Sequence, residues 1–132
     1  MSDQGLIDRS DCLLVVIDVQ EKLMPAISGK ERVIANTATL VRFCGICGIP
    51  VIFTEQKKLG PTVPEVKDLT QGFAAVEKVH FNCFLNGEFR EHVDRLGRKT
   101  IVLTGAESHI CVAQTAIAAL PRLNVHIIAD AV

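Results

Sequence analysis

The chain has 132 residues, 48% of them hydrophobic, and a formal net charge of −1. That is one domain, residues 1–132, with enough apolar mass for a real core. The near-neutral balance, without a basic run, argues against a nucleic acid or an anionic membrane as partner. No apolar stretch reaches the roughly 20 residues that a membrane-crossing helix needs, and residues 1–10 lack the basic-then-apolar pattern of a secretory signal. Five cysteines make an odd count without framework spacing, which fits a reducing, cytoplasmic compartment.

Cys12-Leu-Leu-Val-Val-Ile17 is a continuous apolar run that stops at Asp18. A run that does not alternate is buried on both faces, as in a parallel sheet. An irregular stretch with Pro25 follows, then a helix over residues 31–47 with apolar positions at helical spacing and Gly48 as its stop. Residues 50–55 read as a second strand. Residues 57–64, with Gly60, Pro61 and Pro64, read as a loop long enough to fold over a site. Residues 74–77 form a short third strand, with Lys78 just beyond it. Residues 80–84 are ambiguous. Asn86 caps a helix over residues 87–96, and Gly97 stops it. A fourth strand starts at Thr100 and turns through Gly105, Ala106, Glu107 and Ser108 into a helix over residues 110–120. Residues 124–129 make a fifth strand.

Strands alternating with helices predict an α/β domain, a doubly wound parallel sheet sandwiched by helices in the order 3-2-1-4-5. The chain stops directly after a strand, where a further helix and strand are expected, so it reads as a shortened form. If it ends there, the uncovered strand edge calls for a partner copy.

Doubly wound sheets bind ligands at the carboxyl ends of their strands, beside the point where strand order reverses. Asp18, Lys78 and Cys111 each follow a different predicted strand at that end. A carboxylate can take a thiol proton, an ammonium can stabilise a thiolate, and the sulfur can attack. Cys111 falls near the first turn of its helix, where the dipole and free N–H groups are expected to lower its pKa. It should then alkylate at lower pH than Cys12, Cys44, Cys47 and Cys83. Taken alone, Cys111 also fits a buried, inert thiol, Asp18 a turn residue and Lys78 a solvated surface charge.

The segments Leu14-Val-Val-Ile-Asp-Val-Gln20, Lys78 with Phe81, and Gly105-Ala-Glu-Ser-His-Ile-Cys-Val112 resemble the isochorismatase-like cysteine hydrolases. Thr54-Glu-Gln56 with Leu59-Gly-Pro-Thr-Val-Pro64 resembles, more narrowly, the isochorismatase domain-containing subgroup. The resemblance runs from Leu13 to the C-terminus. It implies a catalytic triad of Asp18, Lys78 and Cys111, the set that strand ends alone suggest. It also implies a non-proline cis peptide between Ala106 and Glu107, an oxyanion hole from the Glu107 and Cys111 N–H groups, and self-association into homo-oligomers.

The expected activity is cofactor-free hydrolysis of a small amide or other carbonyl substrate through a thioester. The alternative is a non-catalytic ligand-binding or protein-interaction module on the same fold. Nicotinamidase relatives bind a metal through an Asp-x-His pair and a further His after the second strand; here that region reads Thr54-Glu-Gln-Lys-Lys58, so no metal is expected. His80, His92, His109 and His126 show no ligand spacing. Cys44-Gly-Ile-Cys47 closes a helix instead of opening one, unlike redox C-x-x-C motifs. Weaker pocket candidates are Gln20, which would orient Asp18, and Phe81 and Phe84, which would wall the pocket or pack in the core. Glu21 and Lys22 default to exposed charges. No G-x-G-x-x-G follows the first strand, against a dinucleotide site.

Overall fold

The computed structural model describes residues 6–132, so the reading of residues 1–10 lies partly outside it. Strands β1 (Cys12–Ile17), β2 (Val51–Gln56), β3 (Ala74–Lys78), β4 (Thr100–Gly105) and β5 (Asn124–Ile127) form one parallel sheet. Their order is β3-β2-β1-β4-β5, as the alternation of elements predicts. The central strands β1 and β4 are buried at every position. Their unbroken apolar runs match a sheet covered on both faces.

The pleat sorts side chains into two cores. Leu14, Val16 and Phe53 face one layer, against Val33, Val41 and Cys44 of α1 (Lys30–Cys47) and Val66 of α2 (Pro64–Lys67). Leu13, Val15, Ile17, Ile52 and Val76 face the other. There they meet Phe89 and Val93 of α3 (Gly87–Leu96) and Ala116 and Ala119 of α4 (Ala113–Ala119). Phe84 and Phe89 pack edge to face in that second core, ring centres 5.1 Å apart. The helix punctuation follows the sequence signals. The Asn86 side chain accepts from the Phe89 N–H at 2.9 Å, and α1 and α3 end on Gly48 and Gly97 in left-handed conformations. Only glycine adopts that conformation at no steric cost.

Three boundaries differ from expectation. Lys78 is the last residue of β3, not the first beyond it. β5 stops at Ile127, and the following chain crosses the end of β4, where Thr104 Oγ1 and the Gly105 N–H both donate to the Ala131 carbonyl (2.7 and 2.8 Å). Residues 57–64 are not a free flap. Their backbone is tied to the segment after β1 through Glu21 N–H to Pro61 O, Lys22 N–H to Leu59 O and Val63 N–H to Val19 O. Pro64 opens α2, because the first helical position has no use for an N–H.

Candidate active site

The site forms where the second core reaches the carboxyl ends of the strands. Thr54 and Gln56 on β2 and Lys78 on β3 share the face of Ile52 and Val76, by the two-residue period of a strand. Gln56 and Lys78 are direct partners in the β2–β3 register. Asp18 would alternate to the other face, with Val16, if β1 continued. Instead its backbone turns to a φ of 52°. Asp is among the few non-glycine residues that tolerate this region. The turn delivers the carboxylate to the second-core side, where Thr54 Oγ1 donates to Oδ1 at 2.8 Å and Lys78 Nζ to Oδ2 at 2.9 Å.

Neither charge of that ion pair is exposed: both side chains are at 0%. A buried ammonium and carboxylate persist only when paired and fully hydrogen-bonded. Lys78 Nζ also donates to Gln56 Oε1 at 2.6 Å and to the His80 carbonyl at 3.0 Å. Cys111 Sγ lies 3.7 Å from the same nitrogen. Asp18, Lys78 and Cys111, which lie 60 and 33 positions apart in sequence, thus meet around one nitrogen atom. The reading of Lys78 as a solvated surface charge is overturned by its burial.

Cys111 arrives from β4. Gly105, at a φ of 117°, lets the chain turn under Ile17; a Cβ there would run into the Ile17 carbonyl oxygen. The Ala106–Glu107 peptide is cis. A π-helical turn, Ser108–Val112, then carries Cys111 as its fourth residue before α4 begins. The expected lowering of the thiol pKa is contradicted. Burial first, then the charge and hydrogen bonding of Asp18, push the Cys111 thiol up to about 12, and Lys78 only partly opposes them. The dipole field fades within the first turn, and a carboxylate beside the sulfur outweighs it. The expectation that Cys111 alkylates at lower pH than the other cysteines falls with it. Cys44 and Cys83 are also pushed up, each to about 11, mainly by burial.

The weaker candidates divide. Gln20 is fully buried and does not orient Asp18. Its carboxamide clasps the Gln56 backbone, accepting from N–H at 2.8 Å and donating to C=O at 2.9 Å, and reaches the Gly60 carbonyl at 2.7 Å. Phe84 is a core residue in the cluster that includes Cys111, and Phe81 is half-exposed. Glu21 and Lys22 are exposed. Thr54 and Gln56 were absent from the sequence-derived set. Their signal was there, two polar residues of one parity at the end of an apolar strand, but it gains meaning only with the strand register. Among the described residues, no group of three His, Cys, Asp or Glu side chains is gathered for a metal.

A parallel, doubly wound domain with a buried carboxylate, ammonium and thiol at its switch point defines a class of thiol-bearing α/β sites. The chain belongs to the isochorismatase family: the model of the isochorismatase domain matches residues 12–132. It is 36% identical to isochorismatase domain-containing protein 2 of Danio rerio, over all of this chain and 68% of that protein. It is 38% identical to isochorismatase domain-containing protein 1 of Salmo salar, over 86% of this chain. The chain spans only 41% of that second relative. Among solved structures, it matches one described as the MAR1 ribonuclease of Caenorhabditis elegans with a TM-score of 0.87 and 32% identity, covering 95% of this chain and 66% of that one. The YcaC product of Escherichia coli, described as an octameric hydrolase of unknown specificity, shares the fold with a TM-score of 0.91 at 22% identity, over 99% and 68% of the two chains.

Proposed function

We propose that the protein is a cysteine-dependent hydrolase of a small amide or related carbonyl substrate. The observation that carries this reading is the buried Lys78 Nζ, 2.9 Å from Asp18 and 3.7 Å from the Cys111 sulfur. In a structural thiol, neither a fixed base nor a fixed cation beside the sulfur would be needed. A nucleophile is activated by such neighbours.

Burial and Asp18 favour the protonated thiol, so in this reading the reaction begins with proton transfer rather than from a standing thiolate. Asp18 takes the Cys111 proton as sulfur bonds to the carbonyl carbon. The Glu107 and Cys111 N–H groups hold the oxyanion that forms. The intermediate collapses by breaking the carbon–nitrogen bond, and Asp18 passes its proton to the leaving amine. Water then gives a proton to Asp18 and attacks the thioester, releasing the acid and the Cys111 thiol. Lys78 balances negative charge throughout. No cofactor enters, and self-association, as described for the E. coli fold relative, extends to this chain as part of the same proposal.

The test is a panel of small amides and esters, with a single-stranded RNA added because the nematode relative is described as a ribonuclease. Trapped intermediates are read by mass spectrometry. The expected result is amide or ester turnover with an acyl adduct on Cys111, absent in Cys111→Ala. Undiminished turnover by the alanine variant would overturn the proposal.

A further inference from the structure

Lys78 has more acceptors than hydrogens. An ammonium carries three donors. Four atoms surround its nitrogen: Gln56 Oε1 at 2.6 Å, Asp18 Oδ2 at 2.9 Å, the His80 carbonyl oxygen at 3.0 Å and Cys111 Sγ at 3.7 Å. Three oxygens at short range leave none for a neutral thiol, the weakest acceptor of the four. Two of the oxygens, on Gln56 and on the His80 backbone, carry no titrating group. The third belongs to Asp18, which loses its charge when it takes the thiol proton.

Gln56 is held through both its side chain and its backbone. Its Nε2 donates to the Val79 carbonyl at 2.9 Å, so Oε1 is the atom that faces Lys78. Its backbone is gripped on both polar groups by the buried Gln20 carboxamide. Its register partner across the sheet is Lys78 itself.

With Cys111 as the nucleophile proposed above, we infer that Gln56 is a positioning residue that withholds a Lys78 hydrogen from the sulfur, leaving one transferable hydrogen shared between Asp18 and Cys111. In the resting site that hydrogen lies on the Asp18 carboxylate and the thiol stays neutral. When the thiol proton moves to Asp18, that bond weakens, the new anion is sulfur, and the hydrogen turns to it. Gln56 and the His80 carbonyl keep the other two fixed, so the ammonium turns without leaving its seat. Thiolate support thereby appears only together with a protonated Asp18, the acid needed for the leaving group. The titratable groups acting on the sulfur are Asp18 beyond β1, Lys78 at the end of β3 and Cys83 on the 3-10 turn Cys83–Leu85.

The experiment is iodoacetamide alkylation of the full chain across alkaline pH, with Cys111 and Cys44 followed separately by mass spectrometry. Gln56→Met replaces the amide oxygen by a thioether, a much weaker acceptor, and frees a Lys78 hydrogen to turn to the Cys111 sulfur, 3.7 Å away. The Cys111 profile should move to lower pH by about one unit, a roughly tenfold faster reaction at fixed pH, with Cys44 unchanged. Gln56→Glu keeps an oxygen at the same reach and should give no acceleration. An unmoved or slower Cys111 in Gln56→Met, or equal acceleration in Gln56→Glu, overturns the inference. If Gln56→Met unfolds, seen as Cys44 accelerating together with Cys111, Gln56→Leu is read by the same criteria. Alkylation needs no substrate, so failure to find a hydrolysed amide bears on the proposed function and leaves this outcome independent.

Discussion

Cys44 and Cys111 are two nearly inaccessible thiols at opposite ends of the sheet, and both are pushed well above the ordinary thiol range. At Cys44 the causes are burial and then two other thiols, Cys12 and Cys47. No charged group enters. At Cys111 a carboxylate and an ammonium are built into the same space as the sulfur. A raised thiol therefore says little by itself. What separates an inert sulfur from a reactive one is whether its proton has somewhere to go.

The sharpest way to break this contrast is to remove each sulfur in turn. Cys111→Ala is expected to abolish the acyl adduct and cut turnover by about 10³-fold or more. Cys44→Ala should leave turnover near wild type and lower only the melting temperature. Equal losses in the two variants would erase the distinction. Next in size is Lys78→Met, which strands the Asp18 carboxylate in a buried site. Breaking such a pair from one side costs about 3–5 kcal/mol, so the urea midpoint should drop accordingly. A change below about 1 kcal/mol would mean that water reaches Asp18 freely. Thr54→Val removes the hydroxyl that donates to Asp18 Oδ1. A lost bond to a buried charge should cost about 1.5–3 kcal/mol, read from the same unfolding curves.

The last effect is set by alkaline pH. The Cys44, Cys83 and Cys111 thiols sit at about 11, 11 and 12 in the fold, above the ordinary value of 9.0. Between these limits the unfolded chain has lost thiol protons that the native chain retains, so stability falls as pH rises. It should be unaffected by these thiols well below pH 9 and decline as pH rises through about 9 to 12. Melting curves in that window test the sign, and a rise would contradict it.

The architecture was legible because hydrophobic pattern fixes it. The short, unbroken Cys12–Ile17 run with its β-branched residues reads as a doubly buried strand, and the alternation of elements then restricts the topology. Asp18, Lys78 and Cys111 were legible for the same reason, since they end or follow strands whose carboxyl ends share one rim. Thr54 and Gln56 were not. Their meaning depends on which residue of β1 or β3 lies opposite, and linear spacing does not carry that register. Gln20 was misassigned for a related cause: it precedes the loop that it ties down, and only the folded path brings Gly60 to it. The Cys111 pKa was misjudged because the helix dipole is visible in a helix start, while desolvation and a carboxylate 93 positions upstream are not.

The most direct test of a thiol that gives its proton to Asp18 is one variant read two ways. In Asp18→Asn the negative charge that helps raise the Cys111 pKa is gone and Lys78 remains. Iodoacetamide should therefore modify Cys111 at lower pH than in the wild type, while amide turnover disappears for want of a proton acceptor. A Cys111 that alkylates in the wild type at lower pH than Cys44, together with an Asp18→Asn variant that still turns over, would show a standing thiolate and contradict the account.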